Sequence, residues 1–278
     1  MIKTANYQAR RATVGVPLIK WPGGKRALIG EILKFVPLRF GKYYEPFFGG
    51  GALFFAIKPT RAVLSDLNAE LISCYSCVKE RPRELISSLR RLKNSEEEYY
   101  RIRQSNPRTE ITRAARLLYL TRLSFNGIHR VNLRGKFNVP YGRKTHLDTI
   151  DCELLLSTSE ALQGAVLRHG DFEASTIDAQ SGDFIFFDPP YTVAHANNGF
   201  VKYNEHIFSW ADQERLANHA RTLSAKGCHV LVSNADHPSV AALYQGVKRV
   251  RLERYSVIAA SSEYRRKISE NLFVFGGE

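Results

Sequence analysis

The chain has 278 residues, 44% of them hydrophobic and 24% charged, with a formal net charge of +13. That length allows one large domain or a domain with an insertion. No apolar run approaches the ~18 residues of a membrane span, so none is expected.

The chain opens on "MIKTANYQARRATVGV", which has basic residues but no hydrophobic block. Residues 1–16 therefore read as a mobile arm and not as a secretion signal. The first predicted strand lies in "KYYEPFFGGG" (42–51) and is followed by the helical "ALFFAI". Gly49, Gly50 and Gly51 at its end give either a tight turn or a place where a ligand approaches bare backbone. The spacing is not G-x-G-x-x-G, so a nicotinamide cofactor is not favoured. A second strand, "RAVLSDLN" (61–68), ends on Asp66. An acid there can accept from the hydroxyls of a ribose or cap the helix that follows.

That helix carries Cys74 and Cys77 as a lone C-x-x-C; Cys152 and Cys228 complete the cysteines. With no second pair at matching spacing, they read as reduced, buried thiols of a cytosolic protein. Almost a hundred residues then separate Asn68 from the next strand, near Ala165. A crossover needs a single helix, so the remainder is an inserted, largely helical subdomain. It ends in "GIHRVNLRGKFNVPYG", where alternating side chains flank Arg134-Gly135 as in a β-hairpin. The insertion is also where the charge lies. Residues 81–146 hold 16 Lys and Arg against 5 Asp and Glu, a net +11. A basic block is often just a solvated face. This one is mostly Arg, with Tyr99, Tyr100, Tyr119, Phe125 and Phe137 among the charges. It suits a polyanion whose phosphates meet guanidinium forks and whose bases stack on rings.

Beyond the insertion come "AVLRHGDF" (165–172), "DFIFFDPPY" (183–191), a helix over 209–227, "HVLVSNAD" (229–236), and a last pair, 247–257 and 270–277, that could run antiparallel. Strands and helices alternate and the strands are nearly continuous in apolar residues. The expected fold is α/β: a doubly wound, Rossmann-like parallel sheet. Asp171 and Phe172 end the third strand and could hold an adenine by an edge contact and apolar packing. With the glycine loop and Asp66, they suggest an adenosine cofactor.

The fourth strand ends on Asp188, Pro189, Pro190 and Tyr191. Two prolines present carbonyls and no N–H, and Asp188 adds a carboxylate. Such a cluster of acceptors suits a substrate that brings an NH₂ group, with Tyr191 offering a flat face to a ring. Held by two acceptors, an exocyclic amine turns pyramidal, and the positive charge that grows on it during attack is stabilised. No metal is required.

At these residues the sequence resembles the Dam-type, D12-class DNA adenine-N6 methyltransferases. The likeness runs from about Leu18 to Phe275 through "IKWPGGKR" (19–26), "YYEPFFGGGALFF" (43–55), "LSDLNAELI" (64–72) and "FFDPPY". Cofactor motifs, long insertion and catalytic motif follow in the order of the α group. The resemblance implies a cofactor-binding catalytic domain of residues 17–72 and 160–278, and a target-recognition domain of residues 73–159. It implies S-adenosylmethionine as cofactor, held by Trp21, Lys25, Phe48, Gly49, Gly50, Gly51, Asp66, Asp171, Phe172 and Asp188. Catalysis falls to Asp188, Pro189, Pro190 and Tyr191, acting on an adenine extruded from the duplex, where its amine is otherwise paired and out of reach.

"FNGIHRVNLRGKFNVPYGR" (125–143) is similar to the recognition segment of enzymes that modify GATC. By that likeness Arg130 and Arg143 read base edges, although contact with phosphate alone is the plainer alternative. Ile128 and Pro140 make apolar contacts, Phe125 enters the base stack, Asn126 and Asn138 lie against DNA, and Lys20 meets the first guanine. The implied partner is double-stranded DNA, with no membrane and no obligatory protein partner, in the cytoplasm at the nucleoid. Two other readings stand beside this one: cytosine-N4 methylation, in whose enzymes serine commonly replaces the aspartate, and a DNA binder without turnover. The loop 192–204 is expected to be mobile until DNA arrives.

Overall fold

The computed structural model describes residues 15–132, 134–193, 208–255 and 267–276. The expected arm over residues 1–16 and the loop 192–204 fall almost wholly outside these. Seven strands form: β1 Tyr43–Glu45, β2 Ala62–Asp66, β3 Ala165–His169, β4 Phe184–Phe187, β5 His229–Ala235, β6 Lys248–Tyr255 and β7 Lys267–Phe275. They make one sheet in the order β3-β2-β1-β4-β5-β7-β6. The α/β reading holds. β1–β4 and β4–β5 are parallel, whereas β5–β7 and β6–β7 are antiparallel. The chain lays strands to one side of β1 and then returns to its other side with β4. The order therefore reverses between β1 and β4, where open α/β sheets place ligands beyond the strand ends.

The chain condenses into two compact units. One comprises Met1–Gly24, Phe48–Thr60 and Leu64–Asp171, the other Lys25–Phe47, Arg61–Val63 and Phe172–Glu278. The first unit is mostly helical. Helix Ala69–Glu80 begins where Asn68 accepts from the Leu71 amide, helix Glu96–Gln104 where Ser95 caps, and helix Glu110–Leu123 where Thr109 caps. Each cap satisfies an amide that the helix itself leaves without a partner. Helix Glu110–Leu123 is the spine of the unit: Ala114, Leu117, Leu118, Tyr119 and Leu120 are buried. Tyr99 and Tyr119 belong to this core, both 0% exposed, and give their hydroxyls to the carbonyls of Val139 and Lys93. Phe137 is buried too, so three of the five rings expected to meet bases are packing residues. Phe125 is exposed and Tyr100 half-buried beneath Arg103.

In the second unit β4, "FIFF", is buried at every position, as a central parallel strand requires. Ile185 and Phe187 pack with Tyr44, Val230, Val232, Leu216 and Phe273. Burying each such side chain is worth about 1.5–3 kcal/mol. Helix Trp210–Ala225 starts in a capping box, Ser209 and Asp212 bonding each other's backbone N–H groups.

Candidate active site and recognition segment

In the first unit, the chain leaving Phe48 turns through Gly49 and Gly51 at φ 47° and 66°, conformations that side chains resist. A Cβ on Gly49 would lie 2.9 Å from the Trp21 ring, and one on Gly50 2.8 Å from the Ile19 carbonyl. The loop is thus a strip of bare backbone beneath Trp21. Asp66 holds it in shape. One carboxylate oxygen accepts from the Gly49 amide at 2.9 Å and the other from Asn68 at 2.9 Å. Burial raises the Asp66 pKa, and these two bonds oppose that rise. The helix cap is Asn68, two residues on. Asp66 is the acid of the glycine loop, and the capping alternative is removed. Each oxygen keeps a further lone pair for a hydroxyl. Phe48 serves through its backbone, because its ring is buried against Phe54 and Tyr75. Asp171 lies two residues beyond the end of β3 in this unit, half-buried.

Trp21 stacks on His129, ring centroids 4.4 Å apart and planes 19° from parallel. Burial, with Arg116 nearby, lowers the His129 pKa to about 4, so the imidazole is neutral. Lys20 donates to the Asn126 carbonyl at 2.5 Å. The segment after helix Glu110–Leu123 is closed at its base. Phe125 donates to the Pro140 carbonyl, Gly142 to that of Leu123, and Ser124 and Tyr141 form an antiparallel bridge. A Cβ on Gly142 would meet the Ser124 carbonyl oxygen at 2.6 Å. Among the described residues the expected hairpin is a short one: the antiparallel Val131–Phe137 bridge, flanked by the Asn132 amide on the Lys136 carbonyl and the Asn138 amide on the Arg130 carbonyl, around a turn in which the Asn132 side chain accepts from the Arg134 and Lys136 amides. Phe125, Asn126, Arg130, Pro140 and Arg143 are exposed, and Ile128 and Asn138 are half-buried. Arg130 is aligned by the Asn138 side chain at 2.8 Å, whereas Arg143 lies 3.9 Å from Glu96.

The second unit holds the end of β4. Asp188 pairs with Lys25, Nζ to Oδ1 at 2.7 Å, and the lysine side chain is only 4% exposed. The same ammonium lies 3.5 Å from Glu270 of β7 and 4.7 Å from the centre of the Tyr191 ring. Tyr191 gives its hydroxyl to Glu270 at 2.6 Å, with Ser233 Oγ at 2.9 Å. Burial and the carboxylates of Asp188 and Glu270 push the phenol pKa well above its ordinary value. The Pro190 carbonyl accepts from Gln213 at 3.2 Å, and Gln213 in turn accepts from Asn234. Among the described residues nothing donates to the Pro189 carbonyl. At the end of β1, Glu45 accepts from the Tyr43 hydroxyl at 2.7 Å.

Phe172, expected at an adenine, lies within the apolar core of this unit, 2% exposed, between Phe47 and the Arg215 guanidinium. Sequence reading overlooked Glu270, Glu45, Gln213 and Asn234. An acid inside an otherwise buried strand, as in "ENLFVF", was the available signal, since a buried carboxylate requires partners. Cys74 and Cys77 are buried thiols whose pKa values burial raises. Among the described residues no cluster of His, Cys, Asp or Glu could hold a metal, and no helix is long and apolar enough to cross a membrane.

A family model described as D12 class N6 adenine-specific DNA methyltransferase matches residues 21–258. The Type II methyltransferase M1.LlaDCHI of Lactococcus lactis subsp. cremoris is 40% identical over 264 residues, covering 91% of this chain and 93% of its own. The Type II methyltransferase M.MjaIII of Methanocaldococcus jannaschii is 34% identical over 266 residues (86% and 91%). The DNA adenine methylase of Escherichia coli K12 is 32% identical over 263 residues (92% and 94%). Such likeness across nearly the full length of each relative, together with an intact Asp-Pro-Pro-Tyr at the end of β4, removes the cytosine-N4 and non-catalytic readings. The chain belongs to the D12 class of N6 adenine-specific DNA methyltransferases.

Proposed function

We propose that the enzyme transfers a methyl group from S-adenosylmethionine to adenine N6 at GATC in duplex DNA, after extruding the base. The observation that carries the chemistry is the Lys25 ammonium on Asp188 at 2.7 Å. The corner already binds a nitrogen that donates hydrogens, the property the target amine shares. Asp188 and the Pro189 carbonyl take the two N6 hydrogens, and the nitrogen lone pair is thereby freed from the ring. The cofactor, when bound, supplies a sulfonium methyl that departs from sulfur as the N–C bond forms, the C–S electron pair remaining on sulfur. Asp188 accepts the proton that N6 then sheds and passes it to water.

The glycine strip and Asp66 fit the cofactor. A bare backbone admits close approach, and a half-buried acid suits ribose hydroxyls. Trp21 and Lys25 complete the set that the family likeness assigns. In this reading residues 73–159 recognise DNA and residues 17–72 with 160–278 carry out catalysis. Arg130, pre-aligned by Asn138, reads guanine through O6 and N7; Arg143, Lys20, Ile128 and Pro140 complete the contacts, and Phe125 fills the stack. The enzyme works in the cytoplasm on chromosomal DNA. Sequencing modified bases in DNA from expressing cells tests it. N6-methyladenine confined to GATC is expected, and methylation at another sequence overturns the target assignment.

A further inference from the structure

We infer that His129 is a positioning residue of the cofactor site: its ring sets the plane of the Trp21 indole, so that Trp21 is already oriented when S-adenosylmethionine arrives. This rests on the reading of Trp21 and the glycine strip as the seat of the cofactor. The two rings stack with centroids 4.4 Å apart and planes 19° from parallel. Trp21 is half-buried and borders the strip, where a Cβ on Gly49 would lie 2.9 Å from the indole Cδ1. Bare backbone limits how near the indole comes and leaves its tilt open. A stacked ring fixes the tilt.

His129 is braced in turn. Phe137, 7% exposed, meets its ring at 5.6 Å and 66°. One residue before Trp21, Lys20 donates to the Asn126 carbonyl at 2.5 Å. A Cβ on Gly127 would lie 3.1 Å from the Lys20 Cδ, so the two stretches run close together there. Residues 20 and 21 are thus each held against the segment 126–129. A continuous run of contacts, Phe137 to His129 to Trp21 to Gly49, leads from the buried side of the hairpin to the loop that Asp66 holds in shape. Burial, with Arg116 nearby, keeps the imidazole neutral. It acts here as a flat, uncharged ring. An indole left free must be ordered when its ligand binds, and that ordering weakens affinity. His129 completes the ordering on folding. Its effect therefore falls on cofactor affinity and not on methyl transfer.

The test compares His129→Ala with His129→Phe, which keeps a flat ring without charge. Binding of S-adenosylhomocysteine is measured by calorimetry without DNA. The mobility of the Trp21 ring is read by time-resolved fluorescence anisotropy in a Trp210→Phe background, since Trp21 and Trp210 are the two tryptophans. His129→Ala should free the indole and weaken S-adenosylhomocysteine binding by about threefold to tenfold. The KM for S-adenosylmethionine should rise to match, with kcat at saturating cofactor within about twofold of the parent. His129→Phe should restore ring order, affinity and KM. Parental affinity and KM in His129→Ala, or an equal loss in His129→Ala and His129→Phe, overturns the positioning role. Should His129→Ala fail to fold, His129→Leu fills the space without a flat face and gives the same comparison. Trp21→Ala separates the two levels. If it binds S-adenosylhomocysteine at the parental affinity, the cofactor reading of Trp21 fails and the role of His129 with it. If it binds weakly while His129→Ala binds normally, only the role of His129 fails.

Discussion

Around Asp188, Lys25, Glu270, Ser233, Gln213 and Asn234 are sealed from water. Between Phe125 and Pro140, the side chains of Phe125, Asn126, Arg130, Arg134 and Lys136 face it. The first region is assembled before any substrate comes, because stabilising charge on a reacting nitrogen works best with groups that need no rearrangement. The second is a set of donors and one ring held on a closed frame, with few partners of their own. On the proposed reading, phosphates and base edges are the partners that complete them. The buried corner is preorganised and the exposed segment is left open.

The largest expected effect lies at the preorganised end. Asp188→Ala should lower methyl transfer by about 10²- to 10³-fold, the cost of losing one aligned group, with cofactor affinity measured by calorimetry largely retained; near-parental turnover would show that the corner is not where the amine is held. Next comes His129, half-buried under Trp21 within the exposed segment. Its folded pKa of about 4 lies below the ordinary 6.5, so the unfolded chain binds the extra proton between those values. Stability is complete above pH 6.5 and falls as pH drops toward 4, by up to about 3 kcal/mol. His129→Gln should flatten that part of the denaturation profile, and an unchanged slope would place the titration elsewhere.

Arg130→Ala should cost about 1–3 kcal/mol of discrimination at one base position, measured by competition among single-substitution sites. A uniform loss across all sequences would make Arg130 a phosphate contact and blur the division between reading and positioning. Phe125→Ala should be the mildest, altering stability by less than about 0.5 kcal/mol because the ring is exposed, while reducing the 2-aminopurine signal of an extruded base. A large drop in Tm would mean that the ring is structural.

The strand ends were legible in the sequence because their signals are local. Asp188 follows four buried apolar residues, and the glycines follow β1 after three residues. "SDLNAE" was ambiguous because it offers two caps two residues apart, Asp66 and Asn68, and only the three-dimensional turn assigns the cap to Asn68. Phe48 and Phe172 were read as cofactor neighbours from their place in motifs, but their rings pack in the cores. A motif gives the course of the backbone and leaves the side chain's direction open. Glu270 was hidden for a different reason: its partners, Lys25 and Tyr191, stand 245 and 79 positions away along the chain.

The Ser124–Tyr141 bridge and the Phe125–Pro140 hydrogen bond pinch residues 125–140 into a cassette whose two ends enter the helical unit at one point. Gly142 must remain bare for that pinch to close. Inside it, the exposed Phe125, Asn126, Arg130, Arg134 and Lys136 can be exchanged, whereas Phe137 and Val139 are buried and Tyr99 of the helical core bonds the Val139 carbonyl. On the proposed reading, new target sequences arise by exchange of those exposed residues, while the Asp188 corner is inherited unaltered.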